Sequence, residues 1–394
     1  MKNHLSAYPN EIIQVMELFT SFHYELVLVG GWVRDTLLNR QTTDIDMATN
    51  ASTEEMLKIL DGYTTSKIGI KYGTLGVKVN SNWIEITTYR SDHQTSDHRH
   101  PTSNQFIDSL EEDLKRRDFT INALAMNQAG DLLDYVGGLK DLEDHCIKAI
   151  GDPSLRFEED ALRILRAMRF ALTLDFKIEA KTQRAMLNQS QLLKHISSER
   201  IFEELLKMLG CSHIQNIFKV NQKILLELLP QSHVPSYLDH TDDPVLKLYM
   251  LLDSLDQSTL VKILKHYKVS NAITRRLEHL YDYTKIEYEL DRVQLKLLMS
   301  ELNLEDLKAS LHYLKIVHHN AFYDDLNELF ESILLSHEPY QLKDLDINGD
   351  DLMGIGLSKK QIGETLNQLL EQVIYEPKLN QKNTLLALCQ KGLT

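Results

Sequence analysis

The chain has 394 residues, of which 43% are hydrophobic and 25% charged, which fits a folded globular protein and excludes a disordered or low-complexity chain. A net charge of −14 argues against general affinity for nucleic acid, so any such recognition must rest on local basic clusters. No window approaches about 18 uninterrupted apolar residues, which excludes a helical membrane span, and Met1 to Asn10 lacks the apolar core of an export signal.

In chain order, apolar spacing of three and four predicts helices over Glu11–Phe22, Trp32–Leu38, Thr53–Leu60 and Asp118–Met126. Between them, short apolar runs at Leu26–Val29, Leu75–Val79 and Ile84–Tyr89 read as strands. The last two flank Asn80-Ser81-Asn82, good chemistry for a hairpin turn. After Gly151-Asp152-Pro153 the strand-like texture gives way to helical periodicity, with turn signals such as Pro230–Pro235 and Glu338-Pro339 between segments. The expected class is therefore an α+β N-terminal domain, a small mixed sheet with flanking helices, followed by an all-α region. Divisions are expected at 152/153, 215/216 and 305/306. Three scattered cysteines (Cys146, Cys211, Cys389) are too few for a disulfide framework or a zinc site and suit a reducing compartment, the cytoplasm.

Three features carry chemistry. Gly30-Gly31-Trp32-Val33-Arg34-Asp35 follows the first strand and opens a helix; glycines there let the backbone approach an anion without a Cβ in the way. A lone glycine pair is equally a tight strand-to-helix turn. In Asp44-Ile45-Asp46, an extended backbone puts both carboxylates on one face and Ile45 on the other. Their repulsion would be relieved by a divalent cation with oxygen ligands, although a bare pair of this kind is common on solvated loops. Glu85, alternating with Ile84 and Ile86, is a candidate third carboxylate for a two-metal arrangement.

The order of these features matches a polymerase-β-like nucleotidyltransferase palm, and the chain resembles the class II tRNA nucleotidyltransferases, or CCA-adding enzymes, with the related bacterial poly(A) polymerases. The resemblance continues in Arg116-Arg117-Asp118-Phe119-Thr120-Ile121-Asn122-Ala123, in Asp134-Tyr135-Val136-Gly137-Gly138 with Asp141-Leu142, in Glu159 through Phe170 and, weakly, in Glu199-Arg200. It covers residues 30–205; beyond 210 only helical character matches.

The resemblance implies a palm over 1–152, a helical neck carrying the nucleobase-recognition segment over 153–215, a helical body over 216–305 and a tRNA-binding tail over 306–394, the helical part being elongated. It implies addition of C, C and A to the 3′ end of tRNA from CTP and ATP, with pyrophosphate released. Mg²⁺ would sit on Asp44 and Asp46, with Glu85 as a third catalytic acid. Gly30, Gly31 and Arg34 would meet the triphosphate and Arg117 the ribose, with Asp118 in support.

The helix expected over Glu159–Phe170 makes Asp160 and Arg163 neighbours three residues apart, a carboxylate acceptor beside a guanidinium donor. Cytosine and adenine present an amino donor beside a ring-nitrogen acceptor, whereas guanine and uracil present a carbonyl beside an N–H. The pair therefore matches C and A and mismatches G and U. The bland reading is a helix-surface salt bridge. Arg166 and Arg169 continue at spacing three and suit phosphate or base contact. His93, Asp97, His98 and His100 lie where the family has a loop that helps the change from C to A addition, and their spacing is poor for a metal site. Asn39 stands where relatives often have Gly, and tolerates a left-handed helix end. His100 stands where a fixed cation is common, and no phosphohydrolase His/Asp pattern is present. Lys343, Lys359, Lys360, Lys378 and Lys382 are candidate tRNA phosphate contacts, or simply a solvated face. Partners are thus tRNA, CTP and ATP, with no membrane and with a homodimer among the options. A poly(A) polymerase lies closest in chemistry but would want a broad cationic track. A catalytically silent RNA-binding scaffold and a DxD-dependent glycosyltransferase are remoter, and the latter leaves Glu159–Phe170 unexplained.

Overall fold

The structure is a computed structural model and describes residues 9–42, 44–92 and 104–392. The chain divides into two compact units, one ending at Gln231 and one beginning at Ser232.

The first unit is built on a seven-stranded sheet. Its strands are β1 (Leu26–Val29), β2 (Ile45–Thr49), β3 (Thr64–Ser66), β4 (Thr74–Val79), β5 (Asn82–Thr88), β8 (Leu124–Met126) and β9 (Leu132–Asp134), in the order β3-β4-β5-β2-β1-β8-β9. Only β2 and β5 pair in parallel; the other neighbours are antiparallel. The β4–β5 hairpin closes on Val79 opposite Asn82, with Asn80 at φ 55° in the turn, a conformation that suits Asn. Strands β6 (Arg90–Asp92) and β7 (Asn104–Phe106) form a separate antiparallel pair. The loop expected to help the change from C to A addition, with His93, Asp97, His98 and His100, lies outside the described residues.

Alternation sorts β1 cleanly. Val27 and Val29 share a core with Ala48, Tyr89, Leu110, Leu114, Ala123 and Ala125, while Leu26 and Leu28 turn to the other face. The early helices are α1 (Asn10–Ser21), α2 (Gly31–Leu37), α3 (Thr53–Ile59), α4 (Leu110–Lys115) and α5 (Gly138–Glu143). Ser52 and Glu55 form a reciprocal capping box on α3, and Asn39 takes the left-handed φ of 54° just past α2.

The helix expected over Asp118–Met126 does not form. A short 3₁₀ turn covers Thr120–Asn122 and β8 follows. Leu124, Ala125 and Met126 are fully buried between β1 and β9. A strand buried on both faces reads as a continuous apolar run. Burial of one such Leu or Met side chain stabilises by about 1.5–3 kcal/mol, against propensity differences of only a few tenths per residue, so tertiary packing decides.

Past Asp152, which caps α6 (Pro153–Glu159) with Pro153 at its first position, come α7 (Leu162–Leu174), α8 (Ala180–Gln189), α9 (Ser198–Leu209), α10 (Ile214–Val220) and α11 (Gln222–Leu228). Helices α7 and α9 pack together, as do α6 and α8. The region is not wholly helical: Lys177–Ile178 pairs in parallel with Cys146–Ile147, joining the chain on either side of residue 152.

The second unit contains α12 (Pro244–Leu252), α13 (Gln257–His266), α14 (Asn271–Tyr283), α15 (Arg292–Glu301), α16 (Leu304–His318), α17 (Ala321–Ser336), α18 (Gly349–Gly354), α19 (Lys359–Tyr375) and α20 (Lys382–Gly392). One core gathers Leu295, Met299, Leu307, Leu311, Leu326, Phe330 and Ile333; another gathers Leu352, Leu369, Leu370, Val373, Ile374 and Leu385. Buried charges here are paired: Asp306 takes Arg276 at 3.0 Å and His279 at 2.7 Å, and Lys296 reaches Glu338 at 3.2 Å. The expected division at 215/216 falls within α10 and that at 305/306 within α16. Among the described residues, no helix is long and apolar enough to cross a membrane.

Candidate active site

Where β2 begins, Ile45 is 5% exposed and enters the core. Asp44 and Asp46 flank it and line one cleft of about 560 Å³, as extended alternation requires. Burial pushes the Asp46 carboxyl up to about 6, helped by Glu85 and Asp44 and opposed by Arg117. Glu85 lies opposite Asp46 in the parallel β2–β5 register. It is exposed, is not among the residues lining the cleft, and raises the local negative potential from the strand alongside. Among the described residues, no three His, Cys, Asp or Glu side chains come together as a metal cage. The donor set is thus two carboxylates whose mutual repulsion a hard cation would relieve. That suits Mg²⁺, which takes one or two carboxylates and completes its shell with water and phosphate oxygens.

Facing the pair is a wall of arginines. Arg34 on α2 is 8% exposed. Its Nε and Nη2 donate to Asp35 at 2.8 Å each and its Nη1 to Asn122 Oδ1 at 2.6 Å. Asn122 in turn donates to Asp118 Oδ1 at 3.1 Å, and Asp118 Oδ2 accepts from Arg166 Nε at 2.8 Å. Burial works against the Asp118 charge, but Arg166, Asn122 and the Phe119 amide hold its carboxyl below the usual carboxylate range. The relay Arg34–Asn122–Asp118–Arg166 therefore ties the glycine turn to α7. At that turn Gly30 has φ 70°, and a Cβ there would stand 3.1 Å from Arg117 Nη1. The residue serves close approach of a guanidinium as well as the backbone's turn. Arg117 Nη2 donates to Asp113 at 3.1 Å, while its Nε is buried with no hydrogen-bond partner among the described residues.

The structure corrects the picture of Asp160 and Arg163 on one helix. Asp160 ends α6 in an extended conformation (φ −150°, ψ 102°), and Arg163 belongs to α7. The Asp160 carboxylate accepts from the Leu162 amide at 3.1 Å and pairs with Arg200 Nη2 at 2.9 Å. Asp160 thus takes up the first amide of α7 from just outside that helix, an Asx-type bond available only to an extended residue, which explains the break. Arg163 pairs with Glu159 at 2.6 Å and donates to the Arg116 carbonyl at 3.1 Å. Both residues nevertheless line the cleft, with Gly30, Gly31, Arg34, Arg117, Arg166 and Arg169. Spacing three along α7 puts Arg163, Arg166 and Arg169 on one side, opposite the buried Ile164, Leu165 and Met168.

Several lining residues drew little or nothing from the sequence reading. Arg116, Asn122, Leu162 and Phe170 line the cleft, as does Arg200 from α9. The brace Asp113 was missed too, although its place three and four residues before Arg116 and Arg117 is a signal that could have found it. The brace Glu204, which holds Arg169 at 2.7 Å from 35 residues away, carries no local signal. Of the tail lysines, Lys343, Lys359, Lys360 and Lys378 are exposed, and Lys382 pairs with Asp351 at 2.6 Å.

Residues 26–148 match the family described as the poly A polymerase head domain, residues 175–233 that of a probable RNA and SrmB-binding site of polymerase A, and residues 241–389 that of tRNA nucleotidyltransferase domain 2. Over 404 residues the chain is 31% identical to the CCA-adding enzyme of Enterococcus faecalis, covering 98% of both chains. It is 36% identical over 419 residues to the CCA-adding enzyme of Lactococcus lactis subsp. cremoris, covering 99% of this chain and 98% of the other. The fold is similar to that of the Bacillus stearothermophilus CCA-adding enzyme in complex with CTP, with a TM-score of 0.73, 25% identity and 97% of each chain covered. The match runs over nearly the full length of both relatives, and the three family models together span the palm and the helical remainder; this chain belongs to the family of CCA-adding enzymes.

Proposed function

We propose that the cleft adds C, C and A to the 3′ end of tRNA, taking CTP and ATP and releasing pyrophosphate. The carrying observation is that one cleft joins the Asp44–Asp46 pair to the arginine wall and to Asp160 and Arg163. In this reaction the RNA 3′-hydroxyl oxygen attacks the α-phosphorus and the bond to the β-phosphate breaks. Such chemistry is largely positioning and charge stabilisation. Mg²⁺ held by Asp44 and Asp46 would supply charge neutralisation at the phosphates and a more acidic attacking hydroxyl.

Arg34 uses three of its five N–H donors within the protein, which leaves two for triphosphate oxygens. Arg117 is assigned to the ribose side, Asp118 supporting it, and Arg166 and Arg169 extend the anionic grip. For the base, the Asp160 carboxylate accepts an amino proton and Arg163 donates to the neighbouring ring nitrogen, a combination that cytosine and adenine satisfy. Glu85 acts from the adjacent strand on the potential at Asp46. The second unit, with its exposed lysines, is assigned to tRNA, and the site of action to the cytoplasm, where tRNA and nucleoside triphosphates meet.

The head-domain family name is shared with poly(A) polymerases, so the assay must separate the two. The substrate is tRNA lacking its three terminal nucleotides, with Mg²⁺. CTP alone should give two C additions, and ATP then one A. A long A tract on arbitrary RNA selects polyadenylation; no incorporation selects a silent scaffold.

A further inference from the structure

Three guanidinium groups of the cleft converge on one aromatic ring. The Cζ atoms of Arg169, Arg34 and Arg166 stand 4.2, 5.2 and 5.2 Å from the centroid of Phe170. Phe170 is 6% exposed, lines the cleft, and is fixed edge-to-face against Phe119 at 5.8 Å and 80°. Each arginine is also held by a carboxylate: Arg34 by Asp35, Arg166 by Asp118 and Arg169 by Glu204. Each of these ion pairs fixes one arginine and leaves its relation to the other two unset. The three carboxylates stand on different elements and share no common geometry. Among the described residues Phe170 is the aromatic ring that all three cations meet, and it attracts each of them through its quadrupole. It also bridges elements, since Arg34 stands on α2 and the others on α7; just past α2, Arg40 Nη1 donates to the Thr173 carbonyl of α7 at 2.8 Å.

We propose that Phe170 is a positioning residue for nucleotide binding, gathering Arg34, Arg166 and Arg169 into one preorganised triphosphate-binding surface. The inference rests on the reading of the cleft as the nucleotide site. Three like charges brought together in an empty site repel, and the ring lowers that cost before the anion arrives. Because triphosphate is held in ground state and transition state alike, the loss should fall on KM and spare kcat.

The test uses the full chain with tRNA lacking its terminal nucleotides. Phe170→Leu should raise the KM for CTP and for ATP about tenfold, given three weakened cation–π contacts, with kcat within about twofold and the KM for tRNA unchanged. A leucine also loses packing against Phe119, so the deciding series places 4-fluoro-, 3,5-difluoro- and 3,4,5-trifluorophenylalanine at position 170. These rings keep the shape and weaken the quadrupole stepwise. KM for both nucleotides should climb with each step, and Phe170→Tyr should stay near the parent. A flat KM across the series, with CTP binding by calorimetry intact in the parent chain, overturns the role of Phe170 alone. Failure of the parent chain to bind CTP, or to incorporate it, overturns the reading of the cleft itself.

Discussion

Asp118→Ala is the most demanding test of the relay that joins the palm to α7. Asp118 is 8% exposed. Its carboxylate accepts from Arg166 at 2.6 and 2.8 Å, from Asn122 at 3.1 Å and from the Phe119 amide at 2.8 Å. At about 1.5 kcal/mol for each bond from the Arg166 cation and about 1 for each from a neutral donor, the gross loss is about 5 kcal/mol. Arg166 keeps 34% of its side chain in solvent, so water recovers part of this. The expected net is about 3 kcal/mol, at the lower end for breaking a buried pair. Both tryptophans, Trp32 and Trp83, belong to the first unit, so their fluorescence in urea follows that unit's unfolding. With a slope of about 2–3 kcal/mol per molar, the midpoint should fall by about 1 M. Adding Arg166→Met should restore part of the loss, because the stranded charge is then gone. A shift below about 0.3 M, or no recovery in the double variant, refutes the relay as a structural tie.

Asp46→Asn should reduce nucleotide incorporation by about a thousandfold or more. It should not lower the urea midpoint, since it removes one of two repelling carboxylates; a marked loss of stability would identify Asp46 as structural. Asp160→Ala should relax the choice of C and A over G and U before it weakens triphosphate binding, as read by incorporation of each nucleotide alone. Unchanged selectivity removes Asp160 from base recognition. In the second unit, hydrogen bonding from Arg292, reinforced by Lys296, holds Glu338 down at about 2. A depressed carboxyl stabilises the fold above its ordinary pKa of 4.5 and loses that stabilisation as pH falls toward 2. Because Glu338 is 30% exposed, the contribution is about 1 kcal/mol after solvent screening. Glu338→Gln should cost that amount at pH 7 and nothing at pH 2, by far-UV circular dichroism in urea.

Local signals carried much of the palm. Leu26–Val29 is a strand to the residue, and the Asn80-Ser81 turn closes the hairpin it predicts. What sequence could not supply was context. Leu124–Met126 has a helix-compatible pattern and becomes a strand because β1 and β9 pair with both its edges and all three side chains are buried. Asp160 has helical spacing to Arg163 and leaves the helix because its carboxylate accepts from the Leu162 amide and meets Arg200, 40 residues on. In the cleft, the acids flanking Ile45 at the start of β2 and the arginines on α7 were legible from periods of two and three. Glu204, Asn122 and Phe170 were not, since their importance arises from partners that only the folded chain assembles.

The net charge of −14 and a cleft lined by arginine are reconciled by where the acids stand. Seven arginines and four aspartates line the cleft among the described residues. Four further carboxylates, none of them a lining residue, hold arginines from behind: Asp35 on Arg34, Asp113 on Arg116 and Arg117, Glu159 on Arg163 and Glu204 on Arg169. Total charge near the site is therefore almost balanced, yet it is layered in part: the seven guanidinium groups line the cleft, whereas half of the eight carboxylates stand behind them. A layered arrangement holds the donors in place without an anion present, which is what preorganisation requires. It also attracts little at long range, since opposite layers cancel beyond about a Debye length of 10 Å. An acidic protein with such a site gains its selectivity for a triphosphate at contact distance. Nucleotide binding should accordingly respond weakly to salt, while binding of a polyanion such as tRNA, which meets exposed lysines singly, should respond steeply.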